Sequence, residues 1–319
     1  MDSSRRRALG LSAGSALALA LPFPFAAARA ASQPPKIALV MKSLANEFFL
    51  TMENGARAHQ KAHASEYTLL ANGIRDETDT SGQIRLIEQM IVTRVDELVL
   101  APADSKALVP VVKKAVDAGI LVVNIDNRLD PEALKDKGLK VPFVGPDNRK
   151  GARLVGDFVA RSLKPGDAIG IIEGVPTTTN AQQRTAGFKD AAQAARLRIV
   201  SVQSGEWEID KGNKVAAAML RAQPDIKALL CGNDNMAIGA VSAVRAAGKT
   251  GRVLIGGYDD IAAIKAMLAD GRVAATADQH ADQQAVYGIQ TALKALAAKT
   301  PQAQLGGVIK TPVNLVTRT

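Results

Sequence analysis

Residues Lys36 to Leu50 read KIALVMKSLANEFFL, and this stretch decides how the rest of the 319-residue chain is read. The apolar run Ile37–Met41 is short enough for a strand buried on both faces. Lys42, Ser43 and Asn46 follow, and Phe48–Phe49 open a helix-compatible segment. In a parallel α/β sheet the loop after a strand's carboxyl end is where ligands bind, because side chains and helix N-termini converge there. This loop offers a cation, an amide and two rings. Amides and charges hydrogen-bond hydroxyls, and an aromatic face covers the C–H face of a sugar ring. The same two phenylalanines would also suit the core of a first helix.

Working outward, strand-like and helix-like segments alternate. Apolar runs recur at 67–71, 97–101, 120–125 and 141–145, and a second series at 168–172, 199–203, 226–231, 253–257 and 273–277. Amphipathic stretches lie between them, such as Gln83–Arg94 with Ile84, Ile87, Met90 and Ile91 on one face. Another is Ala107–Ala118, stopped by Gly119. Two successive runs of β-α repeats predict two doubly wound parallel sheets, each covered by helices. Polar residues gather just past these strands: Asp126-Asn127-Arg128, Asp147-Asn148, Asn233-Asp234, Asp259-Asp260 and Gln279. Any one of them suits a turn or a helix cap. As a series at strand ends in both halves, they could line a common cleft.

Composition narrows the function. Hydrophobic residues make up 47% of the chain but aromatics only 3%, so Phe48, Phe49 and the single tryptophan, Trp207, stand out. The formal charge of +9 invites a nucleic-acid reading. Four arginines against one aspartate in the first thirty residues leave +6 on the remainder, and no basic block occurs there. A solvated basic surface and no nucleic-acid partner are expected. Ser4-Arg5-Arg6-Arg7, the apolar run Ala8–Leu21 and Ala28-Arg29-Ala30 read as an export signal over residues 1–30, of the twin-arginine kind. A membrane anchor fits less well, because Pro22 and Pro24 interrupt a run already short of the roughly 20 residues a span needs. Cys231, the sole cysteine, permits no internal disulfide and sits in the apolar run IKALLC as buried packing.

In its motifs the chain resembles the type I periplasmic solute-binding proteins of sugar ABC transporters, especially the ribose- and allose-binding group. The likeness runs from Lys36 to the C-terminus through IALVMKSLANEFF, APADSKAL, NIDNRLD, VPFVGPDN, IIEGVPTTTNAQQRTAGF, EWEIDKG, CGNDNMAIGA, GKTGRVLIGGYDD and VAATADQ. It implies two α/β lobes joined by three hinge strands: 36–145 plus 280–312, and 146–279 plus 313–319. It also implies a periplasmic location, a monosaccharide or polyol ligand, an inner-membrane permease as partner, a monomer, and no cofactor or metal. Position by position, Lys42 and Asn46 match polar pocket residues, with Lys rather than Ser at 42 resembling the allose branch. Phe48 or Phe49 and Trp207 match rings that sandwich the sugar, and Asp126 matches the pocket carboxylate. Asn233 and Asp259 match hydroxyl partners on the second lobe, and Gln279 the hinge-side amide. The chain departs from the pattern at Asn127, where relatives carry Arg or Glu. It departs again at Asn180-Ala181-Gln182-Gln183, where ribose- and allose-type proteins place a ligand Arg and Arg184 matches only its neighbour. Asn127, Asn180 and Gln182 thus enter the expected site as amides replacing charged donors. Trp207 is expected to stabilise the bound state while contributing little to the open form, where it would have little to pack against.

Competing readings are weaker. A lac-repressor-type regulator shares such a core but needs a helix-turn-helix where this chain has an export signal. A hydrolase using Asp126 and Asp259 would need paired carboxylates at working distance, and outside residues 1–30 the sequence holds no G-x-S-x-G, P-loop or nucleotide motif. His59 and His63, four apart, lack an acidic companion at matching spacing and read as solvated surface. A polyol or sugar sensor feeding a signalling receptor is the alternative within the same class.

Overall fold

The computed structural model describes residues 33–318, so the export signal read over residues 1–30 lies outside the described residues. The first half runs β1 (Lys36–Ser43), α1 (Glu47–Ala62), β2 (Thr68–Ile74), α2 (Thr80–Thr93) and β3 (Glu97–Leu100). It continues with α3 (Val109–Asp117), β4 (Leu121–Ile125), α4 (Pro131–Asp136) and β5 (Phe143–Pro146). The second half repeats the plan: α5 (Asn148–Ala160), β6 (Ala168–Glu173), α6 (Thr179–Ala194), β7 (Arg198–Ser204), α7 (Ile209–Ala222) and β8 (Ile226–Cys231). Then come α8 (Asp234–Ala246), β9 (Leu254–Gly256), α9 (Ala262–Ala269), β10 (Ala275–Asp278), α10 (Ala281–Ala297), β11 (Val308–Thr311) and β12 (Asn314–Thr317).

These strands form two six-stranded sheets, in the orders β11-β5-β4-β3-β1-β2 and β12-β10-β9-β8-β6-β7. Each contains the flavodoxin-like 2-1-3-4-5 order, with its switch point beside the sheet's first strand. All pairings in the first sheet are parallel. In the second only β10 with β12 is antiparallel. The chain passes between the sheets three times, after β5, after β10 and after β11. Although α10 follows β10 of the second sheet, it packs on α1, β3 and β4 of the first. The two doubly wound lobes read from the sequence are therefore present, and β11 and β12 with the β5–α5 link form the joints.

The alternation of β-branched runs with amphipathic helices explains the cores. Ile37, Leu39 and Met41 point to one face of β1 and Ala38 and Val40 to the other, and all five are fully buried. Cys231 is buried in the second lobe, and burial raises its thiol pKa, as suits inert packing. His59 stacks on His63 and places Nδ1 2.8 Å from the Tyr67 hydroxyl, and the described residues contain no cluster of three or more metal-ligating side chains.

One buried group opposes the fold. Glu97, at the head of β3, is fully buried and neither carboxyl oxygen has a partner. Burial, reinforced by Asp96, pushes its pKa from 4.5 up to about 8. The folded chain therefore holds this proton more tightly than the unfolded one. Its contribution to stability falls as pH rises from the ordinary glutamate range to about 8 and levels off beyond. Glu97→Met is expected to remove that slope and to raise stability by about 1–3 kcal/mol at pH 8. Urea melts of both proteins at pH 5 and pH 8 measure it, and parallel pH profiles would contradict it.

Candidate functional site

The carboxyl ends of both sheets face one another around a small cavity. Its walls are Lys42, Asn46, Phe48, Phe49 and Asp126 from the first lobe, Asn180, Arg184, Trp207, Asn233 and Asp259 from the second, and Gln279 at the crossover. The walls lie close together, with about 220 Å³ of non-atom space among them in all.

The first-lobe wall begins at the end of β1. Lys42 is 3% exposed, and its Nζ is 2.9 Å from Glu77 Oε2. Asn46 caps α1 by accepting from the Phe48 N–H at 3.1 Å, while its Nδ2 donates to Glu77 Oε1 at 2.9 Å. One amide thus starts the helix and presents a polar edge to the cavity. Phe48 and Phe49 are both buried and meet edge to face at 5.0 Å. The two readings of this pair are compatible, since each ring belongs to the core and also lines the cavity. Lys42 Nζ lies 5.2 Å from the Phe49 ring and 5.1 Å from that of Trp207, so one cation spans rings of both lobes.

Asp126 follows β4 with φ of 59°, a left-handed backbone rare for non-glycine residues. This turn aims the carboxyl at the cavity and sends the next side chain elsewhere. Asp126 Oδ2 is buried without a partner, and burial pushes the pKa up against the pull of Lys42 and Arg184. Trp207 and Asp259 also hold positive φ, 70° and 120°. Strained backbone thus recurs at three cavity residues, a pattern common at functional sites.

On the second lobe, Arg184 is the most heavily bonded group. Its Nε donates to Asn148 Oδ1 at 2.7 Å, and its Nη1 to Gly232 O at 2.9 Å and to Asp259 Oδ1 at 3.2 Å. The guanidinium stacks 3.7 Å from the centre of the Tyr258 ring. Gln279 Nε2 donates to the same Asp259 oxygen at 2.6 Å. Burial nevertheless outweighs Arg184 and pushes Asp259 up to about 7. Asn233 caps α8 through Met236 N–H and donates from Nδ2 to Trp207 O at 3.1 Å, so the cap also fixes the tryptophan loop.

Ten of the residues expected from the sequence line this cavity; Asn127 and Gln182 do not. Asn127, turned away by the Asp126 backbone, donates to Pro102 O at 2.9 Å and accepts from Asn180 N–H at 3.2 Å. Gln182 lies two residues beyond Asn180 on α6, about 200° around the helix. It is exposed and donates to Pro176 O. Asn180 and Arg184, four apart, share the inward face. The resemblance matches Arg184 only to the neighbour of a ligand position, and the four-residue spacing from Asn180 is the signal that marks it. Glu77 was missed too, although it follows β2 as the other polar residues follow their strands.

The expectation for Trp207 needs a correction. Its ring lies flat on Gly174, where an added Cβ would be 2.0 Å from Cζ2, and against Gly232. Both glycines belong to the tryptophan's own lobe, so the ring is packed whatever the first lobe does. The indole N–H is buried without a partner.

Two hinged α/β lobes that close side chains of both around one small polar cavity define a solute-clasping receptor. The periplasmic binding protein domain model matches residues 37–300, and the chain belongs to that family. It is 71% identical over 285 residues to the D-ribose/D-allose-binding protein of Pseudomonas aeruginosa, covering 89% of each chain. It is 72% identical, with a TM-score of 0.88, to an ABC transporter solute-binding protein from Burkholderia multivorans holding an unknown ligand represented as α-D-erythrofuranose. That likeness covers 89% of this chain and 99% of the other. A periplasmic solute-binding protein of Actinobacillus succinogenes with bound D-allose is 35% identical, with a TM-score of 0.81, over 89% of this chain and 97% of that one.

Proposed function

We propose that this protein is the periplasmic receptor of an ABC importer for one monosaccharide of the ribose or allose type. The observation that carries the reading is the wall chemistry of the cavity. Carboxyls at 126 and 259, cations at 42 and 184 and amides at 46, 180, 233 and 279 surround a space flanked by three aromatic rings. A sugar hydroxyl donates and accepts at once, so such a set can satisfy every hydroxyl of a small pyranose or furanose. Asp126, with its free buried oxygen, is the group best placed to accept two hydroxyls. A mismatched epimer leaves buried polar groups unpaired, which is how hydrogen-bonding sites discriminate. The Pseudomonas relative's ribose and allose, and Lys42 in the manner of the allose branch, support these two sugars first.

In this reading the protein binds as a monomer, releases its sugar unchanged to an inner-membrane permease, and reaches the periplasm through the arginine-led segment at residues 5–7. Calorimetry and thermal shift with D-ribose and D-allose test the ligand. One-to-one binding is expected, with stabilisation of about 2.7 kcal/mol at a hundredfold excess over Kd, and Asp126→Asn should weaken it severely. If neither sugar nor any other monosaccharide raises the melting temperature, the reading fails. A sugar-derived product that accumulates with time would also overturn it.

A further inference from the structure

Helices α6 and α9 of the second lobe both begin without a cap of their own. Ile261, before α9, has no polar side chain, and Thr178, before α6, turns its hydroxyl back to Val175 O at 2.6 Å. The opening N–H groups of a helix have no partner within it and need one from elsewhere. Here the other lobe supplies it. Glu47, the first residue of α1, accepts from Ala262 N–H through Oε1 at 2.9 Å and from Ala263 N–H through Oε2 at 3.2 Å. On the far side of the cavity, Ser105 Oγ accepts from Thr179 N–H at 2.9 Å, and Asn127 Oδ1 accepts from Asn180 N–H at 3.2 Å. The Ser105 hydroxyl is itself 3.3 Å from Asn127 Oδ1, which ties the pair together.

We propose that Glu47, Ser105 and Asn127 are positioning residues that set ligand affinity by capping second-lobe helices only when the lobes meet. None of the three lines the cavity. Yet α6 carries Asn180 and Arg184, and α9 starts two residues beyond Asp260 and three beyond Asp259. Each trans-lobe cap therefore fixes an element that holds cavity groups. When the lobes part, those N–H groups turn to water and the carboxylate at the positive end of α9 loses its partner. Closure is thus reinforced at two points on either side of the bound molecule by groups that never touch it. The proposal rests on the reading of the protein as a sugar receptor.

The test is stopped-flow fluorescence from Trp207 on the mature chain with D-allose and D-ribose, comparing wild type, Glu47→Ala, Ser105→Ala and the double variant. The release rate should rise about tenfold in each single variant, the range of a lost helix cap, and multiplicatively in the double. The association rate should stay within about twofold, and the sugar-free melting temperature should not change. Glu47→Gln, which keeps an acceptor, should fall between wild type and Glu47→Ala. Unchanged release rates, or a loss confined to association or to sugar-free stability, would overturn the proposal. Interlobe fluorescence energy transfer without sugar separates this from the choice of ligand. The closed fraction should drop severalfold in both variants, and an unchanged fraction would refute the caps whichever sugar the protein takes.

Discussion

Arg184→Met is expected to abolish measurable sugar binding and to lower the melting temperature of the sugar-free protein. The guanidinium is 2% exposed and serves Asn148, Gly232 and Asp259 at once. Removing one partner of a buried, hydrogen-bonded ion pair typically costs about 3–5 kcal/mol, because the other charge is left uncompensated. Asp259 is already held near 7 with Arg184 present. Without that cation its pKa climbs further, and the group becomes protonated at neutral pH. The cavity then loses a donor and a charged acceptor together. Arg184→Lys should recover part of the stability but little of the affinity, since an ammonium cannot serve the three acceptors in the plane of the guanidinium or stack on Tyr258 in the same way. Calorimetry with D-allose and thermal melts of both variants decide it. Binding by Arg184→Met within threefold of wild type would show that the group is only scaffolding.

The second large effect concerns Trp207. Because its ring is packed on Gly174 and Gly232, Trp207→Ala should lower sugar-free stability by about 3–5 kcal/mol, the range for emptying an aromatic site. It should also weaken sugar binding by roughly 1–3 kcal/mol. Gly174→Ala separates the two. Its new methyl would overlap the indole, with Cζ2 2.0 Å away and Cε2 2.1 Å away, so the ring has to leave its seat. Affinity should fall at least tenfold at a residue that does not line the cavity, and the emission of the single tryptophan should shift in the sugar-free protein. Wild-type affinity together with wild-type emission in Gly174→Ala would mean that the seat is unimportant.

Much of this architecture was legible because two periodicities differ so clearly. Ile37–Met41 of β1 is an unbroken apolar run, whereas α2 shows Ile87 and Met90 at helical spacing. Carboxyl-end loops then located most of the cavity wall. The failures have local causes. Asn127 enters the expected site because its position matches one where relatives carry Arg or Glu, but the left-handed Asp126 before it turns its side chain away. Gln182 was placed by alignment with a ligand arginine, when the phase of α6 turns it to solvent. The short strands β11 and β12 carry no strong period, and Val308 and Ile309 are 44% exposed, so only the resemblance anticipated a hinge there. Which lobe each helix N-terminus leans on depends on contacts more than 50 residues apart in sequence, and local pattern cannot report that.

The threading of the chain through both lobes also orders the birth of the protein. The first sheet acquires β11 and the second acquires β12 only from residues 308–317, and α10 reaches the first lobe only after β6 to β10 of the second have been synthesised. A nascent chain that has emerged as far as β10 therefore holds two unfinished sheets, with β5 and β10 as bare edges able to pair with foreign strands. Neither lobe can be completed ahead of the other. The same segments that join the halves also make them mature together, once residues 308–317 have emerged.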